Sequence, residues 1–253
     1  MELQTPVPTL VKHCSTRWLS LQKCIACFLQ QWPALQSYFQ SHEDAEKTGS
    51  RVNRCVENLK NPEMKLTYHF LLYIMEPLNE FNTMFQAGDA MVGYLHAEME
   101  RILWKFMGKF VKTSVIIASA SIMEVNFMSL ENQHDNSMLA VGMEARRFIH
   151  SNPDISPTHL SSFFRSVRSF YEEVTAKMQA KFPFNDQTLK TLGYLNPERR
   201  LEISVEAVLQ LSDRLVTATD SFNLKMSSGT SSSPQPKTCP VSLREKHHWM
   251  SSG

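Results

Sequence analysis

The chain has 253 residues, with 26 Lys and Arg against 25 Asp and Glu, so its formal charge is only +1. That balance argues against a strongly basic nucleic-acid coat or an acidic tail, and 8 Gly and 5 Cys argue against a fibrous or disulfide-stapled chain. The length suits one large domain or two small ones, able to bury roughly 70–75% of the unfolded surface.

The N-terminal stretch has no basic segment followed by an apolar run, so no secretory signal is expected there. The most apolar stretch, Val115 to Met123, is far short of a membrane span. The cysteines are therefore expected as reduced thiols. The expected compartment is intracellular, with no membrane partner.

The first element is a helix from Ser20 to Gln40, in which Leu21, Cys24, Ile25, Phe28, Leu29, Trp32, Leu35 and Phe39 recur at three- and four-residue steps. Pro33 is expected to kink or restart it. A short helix follows from Arg51 to Lys60. Asn61-Pro62-Glu63 is a start signal: a capping side chain, a ring that suits the first turn, and a carboxylate at the positive end of the helix dipole. That helix is expected to reach about Phe85, kinked at Pro77 and closed by Gly88, with Asp89 capping a successor that runs to about Lys112. Met138 to His150 is amphipathic. Ser156-Pro157 opens a long helix to about Lys181, Asp186 to Leu192 is a short one, and Ser204 caps another to Val216.

Only Pro8 to Ser15 suggests an extended strand. Alternating strands of the kind an α/β enzyme needs are absent from the pattern. Eleven of the fourteen residues from Ser227 to Pro240 are Ser, Gly, Thr or Pro, a composition that cannot pack a core and reads as a disordered tail.

Motifs with chemistry are sparse. Cys24-x-x-Cys27 lies inside an apolar stripe and reads as packed helix cysteines rather than half a zinc site or a redox pair. His42-Glu43-Asp44-Ala45-Glu46 begins like a zinc-protease helix but has Glu where the second His should stand. No phosphate-binding Gly-rich loop is present. Arg101, Lys105, Lys109 and Lys112, at i, i+4, i+8 and i+11, form a basic stripe opposite Met99, Leu103, Phe106 and Phe110. Such a stripe is a solvated helix face or a set of phosphate contacts.

Two stretches carry a family resemblance. Lys12 to Phe39 contains Thr16-Arg17-Trp18-Leu19-Ser20, and Lys181 to Leu211 reads KFPFNDQTLKTLGYLNPERRLEISVEAVLQL. Together they resemble, in order, two parts of hAT-superfamily transposases and their relatives with BED or MYM zinc fingers. The resemblance implies a ribonuclease H-like fold interrupted by an all-helical insertion domain, in which the Trp motif leaves a strand and enters the helices. The family cuts and joins DNA with three carboxylates that hold two divalent metals. None of the three is found here, nor is a BED finger pattern.

The expected architecture is thus mainly all-α. Residues 1–19 would hold a residual strand and the Arg-Trp motif, 20–220 a helical insertion-type domain, and 221–253 the tail. The chain is expected to be a truncated, catalytically inactive transposase-derived protein, with no catalytic residue, metal, cofactor or small-molecule substrate. Its expected partners are DNA, or a protein or second copy of itself. Arg17, Trp18, Arg101, Lys105, Lys109 and Lys112 are the candidate DNA contacts. The alternative is a helical protein-interaction or dimerisation module with no nucleic-acid role.

Overall fold

The computed structural model describes residues 19–42, 50–86, 91–197, 204–214 and 216. It is mainly helical, and the described residues form no strand beyond one antiparallel bridge between Val111 and Gln133. The predicted strand at Pro8–Ser15, the motif residues Thr16, Arg17 and Trp18, and the Ser/Pro-rich tail lie outside the described residues.

The expected first helix is two: α1 (Leu19–Gln30) and α2 (Trp32–Ser41), with Pro33 in the first turn of the second. Helix α3 (Arg51–Lys60) leads directly into α4 (Pro62–Met84), where the Asn61 side chain accepts the Glu63 N–H at 2.9 Å. Pro77 lies inside α4 and is buried. Helix α5 (Val92–Met107) is capped at Met91, while Asp89 lies outside the described residues. It ends at Gly108, a turn short of the predicted Lys112, and α6 (Thr113–Ala118) follows Lys112. Helix α7 (Met143–Ser151) begins at Met143, after the cap residue Gly142, so the expected start at Met138 is corrected by five residues. Helices α8 (Pro157–Lys181) and α9 (Gln187–Leu192) open where their caps predict: Ser156 accepts the His159 N–H at 3.3 Å, and Asp186 accepts Thr188 N–H at 2.8 Å.

The chain divides into two units, Met1–Ile203 and Ser204–Gly253. In the second, residues 205–214 form helix α10, and Ser204 Oγ accepts the Ala207 N–H at 3.1 Å.

The core of the first unit forms where α4, α5 and α8 meet. Leu66, Phe70 and Ile74 come from α4, Ile102, Leu103, Phe106 and Met107 from α5, and Phe163, Val167 and Tyr171 from α8. Three- and four-residue spacing puts each set on one helix face, and each fully buried aliphatic or aromatic side chain contributes about 1.5–3 kcal/mol. Tyr171 sits at the centre. Its ring stacks on Phe110 at 5.4 Å and meets the edges of Phe70 and Phe106 at 5.6 and 6.3 Å. Its hydroxyl donates to Ala140 O at 2.6 Å. Burial pushes that hydroxyl's pKa well up, so it remains a donor.

Tyr171 thereby ties the helices to the connection between α5 and α7. The connection is held by backbone bonds: His134 N–H to Phe110 O at 2.8 Å, Lys112 N–H to Asn132 O at 2.9 Å, and Ala140 N–H to Lys109 O at 2.9 Å. It is bonded to α8, through Gln133 to the Glu172 carboxylate and Gln179 to Ile122 O, and delivers the exposed side chains described next.

Candidate functional site

The basic stripe does not survive as a stripe. Only Arg101 and Lys105 stand on α5; Lys109 and Lys112 lie beyond its end at Gly108, so the helical register that aligned them is broken. Each cation is also engaged. Arg101 pairs with Glu98 at 2.6 Å, and Lys105 with Glu80 at 3.0 Å. The Lys109 ammonium lies 4.2 Å from the centroid of the Tyr73 ring and hydrogen-bonds its hydroxyl. Lys112 Nζ donates to Glu131 O at 2.6 Å. Each of the four thus has a partner within the fold. Arg17 and Trp18 lie outside the described residues.

A different basic cluster forms where α7, α8 and the 108–142 connection meet. Gln133, only 2% exposed, is its hub. Its amide nitrogen donates to Phe127 O at 2.9 Å and to the Glu172 carboxylate at 2.7 Å, while its oxygen accepts from Arg168 at 3.0 Å. Arg168 also donates to Asn136 Oδ1 at 2.9 Å. Arg146, one turn into α7, donates to Asn136 O at 2.6 Å and to Leu139 O, with its guanidinium 5.5 Å from the Phe164 ring centroid. Burial pulls the Arg146 pKa down and Asp135 opposes the shift; the group stays cationic at neutral pH. Arg165, one turn from Arg168 on α8, is exposed.

These three guanidinium groups share one property. Among the described residues none has a carboxylate within ion-pair distance, whereas Arg101, Lys105, Arg147 and Lys177 each have one. Arg165 and Arg168 line an open groove of about 390 Å³ together with Leu130, Asn136, Phe164 and Glu172. Its walls are thus mixed: apolar at Leu130 and Phe164, cationic at the arginines, acidic at Glu172. The same connection presents Met128, Leu130 and Met138, and the start of α7 presents Met143, at 61%, 72%, 66% and 76% exposure.

Sequence reasoning missed this cluster. Arg165 and Arg168, three apart on a helix, were a visible signal. Arg146 and Leu130 were not, because only the path of the connection brings them alongside.

Cys24 and Cys27 are half-buried on α1. The described residues contain no group of three or more His, Cys, Asp or Glu able to hold a metal ion, and no helix long and apolar enough to cross a membrane. In comparisons with known proteins, no family model, no curated protein and no solved structure matches this chain.

Proposed function

We propose that this chain is a helical protein-interaction domain of hAT-transposase descent, acting through binding rather than catalysis. The observation that carries the interaction reading is the surface of the 108–142 connection. Met128, Leu130 and Met138 there, and Met143 at the adjoining start of α7, are mostly exposed, and Leu130 shares a groove with Arg165 and Arg168, which have no carboxylate within ion-pair distance among the described residues. Met, aromatic residues and Arg are the types enriched where protein partners meet, and exposed apolar groups gathered on one segment mark such sites. The descent rests on the resemblance of Thr16–Ser20 and Lys181–Leu211 to the transposase pattern.

A DNA role has less support. Arg101 and Lys105 are neutralised by Glu98 and Glu80, and the formal charge of +1 supplies little long-range attraction to a polyanion.

A photo-crosslinking residue placed at Met138 in living cells tests the reading. Discrete protein adducts that survive nuclease treatment are the expected result. Adducts that disappear with nuclease, or no adducts when a crosslinker at Met143 is equally silent, overturn it.

A further inference from the structure

The groove between α8 and the 108–142 connection has a chemistry that selects its occupant. We infer that it takes an acidic amphipathic peptide segment of a partner protein, with an apolar side chain against Leu130 and Phe164 and one or two carboxylates on Arg165 and Arg168. This rests on the interaction reading above and names the partner's chemistry.

Charge complementarity argues for the carboxylates. Arg168 uses one N–H of each terminal nitrogen on neutral oxygens of Gln133 and Asn136, at 3.0 and 2.9 Å, and so keeps further donors and its full positive charge. Arg165 makes no hydrogen bond or ion pair among the described residues and stands exposed one turn away. A planar guanidinium suits a carboxylate held by two parallel hydrogen bonds. Gln133, buried and hydrogen-bonded on both ends of its amide, fixes the Arg168 fork in place, so less ordering is needed when a ligand arrives.

The apolar half of the groove argues for a peptide over nucleic acid. Leu130 is 72% exposed and faces no core, and burying it is favourable only against another apolar group. The groove's volume of about 390 Å³ accommodates a few side chains rather than an extended strand. Glu172 lines the groove and Glu131 adjoins Leu130, and a continuous phosphate backbone would be repelled by both. A peptide can place its carboxylates on the arginines and leave neutral residues opposite Glu172.

The test uses the full chain and fluorescence anisotropy with three labelled probes. They are a 15-residue peptide alternating Glu or Asp pairs with Leu and Phe, a peptide of the same length with only Glu and Ser, and a 20-base-pair DNA duplex. The amphipathic acidic peptide is expected to bind at least tenfold more tightly than the Glu/Ser peptide. Arg165→Glu is expected to weaken it at least tenfold and Arg165→Lys less than threefold. Leu130→Ser is expected to weaken it about fivefold, and Arg165 and Leu130 variants should keep the parent melting temperature because both side chains are exposed. Equal affinity for the Glu/Ser peptide, or indifference to Leu130→Ser, would make the groove a general anion patch and overturn the inference. Tighter binding of the duplex than of either peptide overturns it in favour of nucleic acid. No binding of any probe at 100 µM also overturns it, and protein adducts at Met138 in that case would leave the interaction reading standing while the acidic chemistry fell.

Discussion

Gly142 is the position where one added methyl group should do most damage for its size. Its backbone has φ 86° and ψ 154°, a region essentially reserved for glycine, and an L-residue held there costs about 1–3 kcal/mol. A Cβ built on it would lie 2.8 Å from both Cβ and Cγ of Tyr73. Relieving that overlap means moving Tyr73 or the start of α7, and overpacking of this kind costs about 1–3 kcal/mol more. Gly142→Ala is thus expected to destabilise the first unit by about 2–6 kcal/mol. With a urea dependence of about 2–3 kcal/mol per molar, the unfolding midpoint should fall by about 0.7–3 M. The damage has a direction: Tyr73 carries Lys109 against its ring, and Gly142 O accepts the Arg146 N–H at 3.2 Å, so the cluster around Phe164 should loosen as well. Gly108→Ala is the control. Gly108 has an ordinary helical φ of −62°, and an added Cβ would meet only Trp104 O at 3.3 Å, so the change should stay within about 1 kcal/mol. Urea unfolding followed by circular dichroism checks both. Equal losses in the two variants, or an unchanged midpoint in Gly142→Ala, would refute the reasoning.

Other consequences can be measured in the same way. Tyr171→Phe keeps the stacked ring but leaves Ala140 O without its hydroxyl donor, and should cost about 1–3 kcal/mol in chemical unfolding. Lys105→Ala removes an ion pair whose partners are both about half exposed, so the loss should be below about 1 kcal/mol and should vanish in high salt; a larger, salt-independent loss would mean a role beyond the pair. His69 is held below its ordinary pKa of 6.5 by burial first and the Lys65 charge second, with Glu144 opposing. Between that depressed value and 6.5 the unfolded chain binds more protons than the folded one. Stability should therefore be intact above about 6.5 and decline as pH falls through the window, and His69→Asn should flatten that part of the profile.

Helix starts were legible because their causes are local. Asn61, Ser156, Asp186 and Ser204 each cap with a side chain that reaches two or three residues along the chain, and all four predicted starts are found within a residue. The ends of α5 and the start of α7 were misread for the opposite reason. Apolar periodicity carries on through Phe110 and resumes at Met138, yet Gly108 and the antiparallel bridge from Val111 to Gln133 turn those residues into a connection. Its backbone bonds join residues some twenty to thirty positions apart, and no local pattern announces them. The candidate site follows the same division. The stripe from Arg101 to Lys112 assumed an unbroken helix, and it lost its alignment where that helix stopped.

From the sequence alone came the helical class, the caps, the apolar faces of α4, α5 and α8, and the resemblance carried by Thr16–Ser20 and Lys181–Leu211. These depend on residue type and on spacings of three or four. Which cations are free, and which are consumed by Glu98, Glu80, Tyr73 or a carbonyl, was settled only by tertiary structure. So was the meeting of Arg146, Arg165, Arg168 and Leu130 around Phe164. The near-neutral charge of the whole chain is an average, and a binding surface is made by the residues whose charges the fold leaves without partners.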